Sequence, residues 1–341
     1  GINDAAGELL PLLVEARKAG SDGGEAALRY ELALLHWSDR KKSSAEAIEA
    51  LMPVLEQLNG DSIYREGALL LLQEVLCSEG ELVEAERCLN EIRKFWPAGT
   101  SLVAASYYLI DGYRTAAGPG DLKRAGELVL QWIRLPGSKF EESQPAVRLG
   151  LASILIDGGF AKEAASMLAG AQEAARGTSD EFLDIGVSYF LAKAANAAGK
   201  HGDALESLDS IIERYNDKTY NGSYPDAPFV FVQRAVAHRG LYESDRSPEH
   251  LDSMLEDLTA GLAILDQRRR SLIFAGGATP LFERDYWSTW LQYLEVLKAQ
   301  SLCERVVQLI RSRRLMAGGE GSSFAPESLQ ARFDQLEKDC Q

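Results

Sequence analysis

AEAIEALMPVLEQL (45–58) has four counterparts further along the chain: LVEAERCLNEIRKF (82–95), LKRAGELVLQWIRL (122–135), AKEAASMLAGAQEA (161–174) and GDALESLDSIIERY (202–215). Each carries an alanine in its first half, at Ala47, Ala85, Ala125, Ala164 and Ala204, in steps of 38, 40, 39 and 40 residues. An aliphatic residue follows four places later, at Leu51, Leu89, Val129, Leu168 and Leu208. Five places before the alanine stand Lys42, Gly80, Gly120, Gly159 and Gly199. The three markers share one physical reading. Glycine tolerates the left-handed backbone that ends a helix and reverses the chain. Alanine lets two helix backbones approach, and the aliphatic residue one turn later fills the seam beside it.

Between these second helices lie first helices of similar length: GGEAALRYELALLHWS (23–38), SIYREGALLLLQEVLCS (62–78), SLVAASYYLIDGYRTAA (101–117), QPAVRLGLASILIDG (144–158) and DEFLDIGVSYFLAKAANAA (180–198). Apolar residues recur at three- and four-residue steps, as at Leu69, Leu72, Val75 and Leu76, with polar residues on the other face. Ser44, Ser62, Ser101, Asp121 and Ser179 or Asp180 stand where helix caps belong. Alternating β-branched runs are missing, so the chain reads as all-α.

Paired helices with a glycine-then-alanine signature and a small-residue seam resemble the tetratricopeptide repeat family over residues 23–215. The resemblance implies a right-handed α-α superhelix, a solenoid of antiparallel pairs. The period exceeds the family's usual length of about 34 residues. Most of its first-helix Trp, Gly and Tyr are replaced, and its closing proline appears as Pro97 and Pro136 only. This marks a divergent member with longer helices and turns; HEAT-like arrays are the nearest structural competitor. Residues 1–22 read as a capping helix or a truncated repeat, and 23–215 as five pairs. Residues 216–317 read as less regular pairs with long loops, and 318–341 as a linker and a C-terminal capping helix.

The 341 residues carry 36 Lys+Arg and 51 Asp+Glu, a net charge of −15 that disfavours nucleic acid and anionic lipid as partners. No apolar stretch suits a membrane span. The four cysteines, Cys77, Cys88, Cys303 and Cys340, are too few for a disulfide framework. Cys77 and Cys88 flank a turn at Glu79–Glu81, which leaves open either a bridge or two half-buried thiols, the second being the plainer reading. The chain opens Gly-Ile-Asn-Asp without an initiator Met, as after removal of a leader, and export is slightly favoured.

No nucleophile elbow, phosphate loop, zinc motif or dinucleotide fingerprint is present, so neither a cofactor nor a metal is expected. His36, His201, His238 and His250 are too far apart in sequence to share a helix face. Acidic pairs such as Glu141–Glu142 and Asp180–Glu181 arise by number alone in a chain this acidic. The rival enzyme reading is an α/α toroid hydrolysing carbohydrate with paired carboxylates, to which FERDYWSTW (282–290) would contribute. Arg268, Arg269 and Arg270, and Arg311, Arg313 and Arg314, read as cations at helix C-termini, with an anion site as the alternative. Phe282, Tyr286, Trp287 and Trp290 read as core; Tyr215, Tyr220 and Tyr224 cluster near a long loop.

In the resembled family the first helices line a concave face. Carried over by position, the groove candidates are Arg29, Leu32, His36, Leu70, Glu74, Tyr107, Ile110, Arg114, Leu149, Ser153, Tyr189, Lys193 and Asn196. Tyr107, Arg114 and Tyr189 are the anchor types, since they bury large areas with few rotors to freeze. Lys193 and Asn196 alone do not form the family's carboxylate clamp. The implied role is a non-catalytic scaffold that receives a basic or neutral peptide or a partner domain, alone or within an envelope-assembly or transport complex.

Overall fold

The computed structural model describes residues 2–38, 43–58, 62–116, 118–140, 143–176, 181–216, 227–317, 319 and 322–341. Among the described residues there are sixteen α-helices and no strand. They are α1 (Ile2–Lys18), α2 (Asp22–Ser38), α3 (Ser44–Gln57), α4 (Ile63–Glu79), α5 (Leu82–Phe95), α6 (Thr100–Ala116), α7 (Pro119–Trp132) and α8 (Pro145–Asp157). There follow α9 (Ala161–Arg176), α10 (Glu181–Ala197), α11 (His201–Asn216), α12 (Ala227–Asp245), α13 (Pro248–Phe274), α14 (Pro280–Ala299), α15 (Cys303–Ala317) and α16 (Glu327–Asp339). Residues 1–116 with 124–142 form one compact unit, and 117–123 with 143–341 a second. Lys42, Glu141, Glu142, Ser179, Asp180, Tyr220 and Tyr224 lie outside the described residues.

The alanine–aliphatic seam lies in the core of both units. Ala47, Ala85, Ala125, Ala164 and Ala204 are all 0% exposed, and Leu51, Leu89, Val129, Leu168 and Leu208 are at most 1% exposed. Burying one such leucine contributes roughly 1.5–3 kcal/mol. The glycine marker works at three of its positions. Gly80 is left-handed at φ 79°, with the Glu81 N–H donating to the Leu76 carbonyl (2.9 Å) and the Gly80 N–H to that of Cys77 (3.3 Å). Gly159 and Gly199 repeat this two-bond closure. Gly120 does not, because it lies in the first turn of α7.

In the first unit α1 docks on α2, and α2 to α6 pack in sequence order. Arg17 of α1 and Arg29 of α2 both reach the Glu25 carboxylate at 2.9 Å, and the hydrogen bond from Arg17 leads in holding that acid below its ordinary range. Arg65 of α4 donates to the Leu55 and Leu58 carbonyls (2.6 and 2.7 Å), placing a cation at the negative end of α3. Glu86 of α5 accepts from Tyr113 of α6 (2.9 Å) and pairs with Arg124 of α7. Ser62 makes no side-chain cap bond, and Ser44, Ser101 and Asp121 lie inside their helices; Thr279 caps α14 by accepting from the Phe282 N–H.

In the second unit α8 to α14 pack in sequence order, and α14 is then covered by α15 and α16. Its C-terminal core includes Tyr286, Trp287 and Trp290 with Phe333, so the aromatic stripe is core. Arg268, Arg269 and Arg270 do not end α13, which continues to Phe274. Arg269 pairs with Glu283 (2.7 Å) and lies over Trp287, while Arg313 lies 4.2 Å from the Trp290 ring centre. Arg314 pairs with Asp334 and Glu337. These arginines are spent on packing and ion pairs. A disulfide joins Cys303 to Cys340 across α15 and the end of α16, with Cα atoms 4.9 Å apart. Cys77 and Cys88 are free thiols, each pushed up to about 12 chiefly by burial.

Candidate partner-binding surface

In the first unit the candidates fall on three successive first helices, α2, α4 and α6. Tyr107 is 55% exposed, and among the described residues no carboxylate pairs with the half-buried Arg114 two turns further on. Leu32 of α2 and Leu70 of α4 are half-buried. His36 is engaged with Glu46 at 3.2 Å, and Arg29 is held by Glu25. Ile110 is 1% exposed and belongs to the core. Its expected place on the free stripe is therefore corrected: a first helix here meets its own partner, the preceding pair and the following pair, so its open stripe is narrow.

Glu74 proves to be a junction. The Trp37 indole N–H of α2 donates to it at 2.9 Å, and its carboxylate faces the Tyr108 phenol of α6, which burial and that charge push above the usual range. Neither Trp37 nor Tyr108 was among the sequence candidates. The available signal was their place one residue from candidates His36 and Tyr107. Gln73, fully buried, donates to the Ala105 carbonyl (3.0 Å) and ties α4 to α6 beneath this face.

In the second unit Leu149 packs under α9 and α10 against Ala171 and Val187, and Ser153 is half-buried. Lys193 of α10 is bound to Asp157 of α8 at 2.7 Å. Tyr189 is 5% and Asn196 6% exposed, so both leave the groove stripe for the core. Asn196 donates to the Gln233 carbonyl (2.8 Å) and faces His201 at 3.3 Å, linking α10, α11 and α12. Lys193 and Asn196 are thus committed to helix–helix bonds.

Two carboxyls in this unit are pushed above the usual range, Asp257 and Asp285, each by desolvation opposed by an arginine. Arg234 holds Asp257, and Arg284 holds Asp285 at 2.6 Å. Among the described residues no group of three or more His, Cys, Asp or Glu side chains is placed to hold a metal ion, and no helix is long and apolar enough to cross a membrane.

No family model and no curated protein matches the sequence. A tetratricopeptide repeat protein from Parabacteroides merdae ATCC 43184, solved by crystallography, is similar in structure with a TM-score of 0.55 at 10% identity. The likeness covers 91% of this chain and 99% of that one. At such identity it establishes the fold alone.

Proposed function

From the premise that the chain is a tetratricopeptide-like array of helix pairs, a fold suited to protein interaction, we propose that it is a non-catalytic scaffold. It receives an extended peptide or a partner domain on the face made by α2, α4 and α6. The observation that carries this reading is Tyr107 with Arg114. A large, exposed aromatic stands two turns along α6 from a guanidinium that no carboxylate among the described residues pairs with. Such side chains supply most of an interface's energy. The −15 charge favours a basic or neutral partner segment, steering its approach while the anchors hold it. The Cys303–Cys340 bridge supports an oxidising setting, as in a cell-envelope assembly or transport complex.

The test is selection of binding peptides from a displayed library, followed by calorimetric titration against Tyr107→Ala/Arg114→Ala. Affinity should fall by about 2 kcal/mol, or roughly 30-fold. Unchanged affinity would remove the assignment.

A further inference from the structure

A cavity of about 190 Å³ opens between α12, α13 and α14 in the second unit. Met254 and Val296, 4% and 3% exposed, give it an apolar wall with Leu251 beside them. That is room for one large apolar group; pockets for drug-sized ligands begin near about 300 Å³. The charges at its mouth are unlike the rest of this acidic chain. Arg239 is shared between Glu243 (3.1 Å) and Glu295 (3.5 Å), and Arg332 also reaches Glu295 (2.8 Å). Arg246 is the remaining cation. Its guanidinium lies 5.5 Å from the Tyr242 ring centre, and among the described residues it has no carboxylate partner. The adjacent Asp245 is turned away, accepting from the Ser247 N–H (2.8 Å) and facing His250 (3.3 Å).

Arg246 ends α12 with a left-handed backbone, φ 60°, a place where glycine or asparagine would cost less. The lining therefore carries two arginines and two glutamates, and since Arg239 meets both acids while Arg332, outside the pocket, also reaches Glu295, the fork of Arg246 is left to donate. We propose that this pocket binds a single apolar group bearing a carboxylate. The apolar part lies on Met254 and Val296, and the carboxylate pairs with Arg246. The same chemistry belongs to the last residue of a peptide and to a small free acid. The site lies wholly in the second unit and stands independently of Tyr107 and Arg114.

N-acetylphenylalanine, its amide and a hexapeptide ending in phenylalanine are titrated into the full chain by calorimetry and saturation-transfer NMR. The acid should bind at least tenfold more tightly than the amide. Arg246→Gln should erase that preference, and Ala299→Phe, at an exposed position on the lip, should abolish binding while helicity is unchanged. A hexapeptide at least tenfold tighter than the acid supports a peptide terminus as occupant; equal affinities support a small acid. No binding of either, equal binding of acid and amide, or indifference to both variants overturns the proposal.

Discussion

His238 of α12 and His250 of α13 meet with their Nδ1 atoms 3.1 Å apart, so the two rings have room for one proton between them. Asp257, Arg234 and Asp209 also act on His238, and Asp245 faces the far side of His250. Burial above all, then the His250 and Arg234 charges, pushes His238 below its ordinary value, against the pull of the two acids. The unfolded chain then binds a proton that the native chain refuses. Stability is full above about pH 6.5 and declines as pH falls toward the native value. Urea unfolding at pH 7.5 and 5.5 should show this loss in the wild type and a smaller one in His238→Gln. Equal pH dependence of the two proteins contradicts the assignment.

Gly80 and Gly120 occupy the same place in the repeat and should respond oppositely to alanine. Gly80 at φ 79° forces a side chain into the left-handed region, at about 1–2 kcal/mol. Gly120 is helical with nothing within 4 Å of an added Cβ, so Gly120→Ala should be neutral or stabilise by up to about 1 kcal/mol. Thermal melts of the two variants decide the matter.

Asp257 is 1% exposed and lies against Arg234, whose Nε is 2.9 and 3.0 Å from its two oxygens. Arg234→Met strands a buried carboxylate and should cost about 3–5 kcal/mol, most of it recovered in Arg234→Met/Asp257→Leu. The single variant should regain stability as pH falls, because burial raises the Asp257 carboxyl and protonation removes the stranded charge. Denaturant titrations across pH measure both effects.

The Cys303–Cys340 bridge closes a loop across a sequence separation of 37 residues and should contribute about 3–4 kcal/mol. Dithiothreitol should lower the melting temperature of the wild type and leave that of Cys303→Ser/Cys340→Ser unchanged. Iodoacetamide should then label Cys303 and Cys340 in the reduced native protein and spare Cys77 and Cys88 until it unfolds, since burial keeps these thiols protonated.

The recurrent alanine and aliphatic markers were legible because each reports on packing within a hairpin and its neighbour in sequence. Ala85 and Leu89 sit four residues apart and face one seam whatever the rest of the chain does. The candidate surface was legible only in part. Tyr107 and Tyr189 look alike in sequence, both aromatics midway along first helices. One is 55% exposed and the other 5%, because residues on α11 and α12 close over the second. The open pocket of Arg246 left no mark in the repeat rhythm.

Sequence periodicity determined the helices, their pairing and the buried seam, since these follow from contacts a few residues or one hairpin away. The choice of Cys303 with Cys340, the meeting of His238 with His250, and the exposure of Tyr107 belonged to the tertiary structure. Each depends on elements whose approach through space no local spacing encodes.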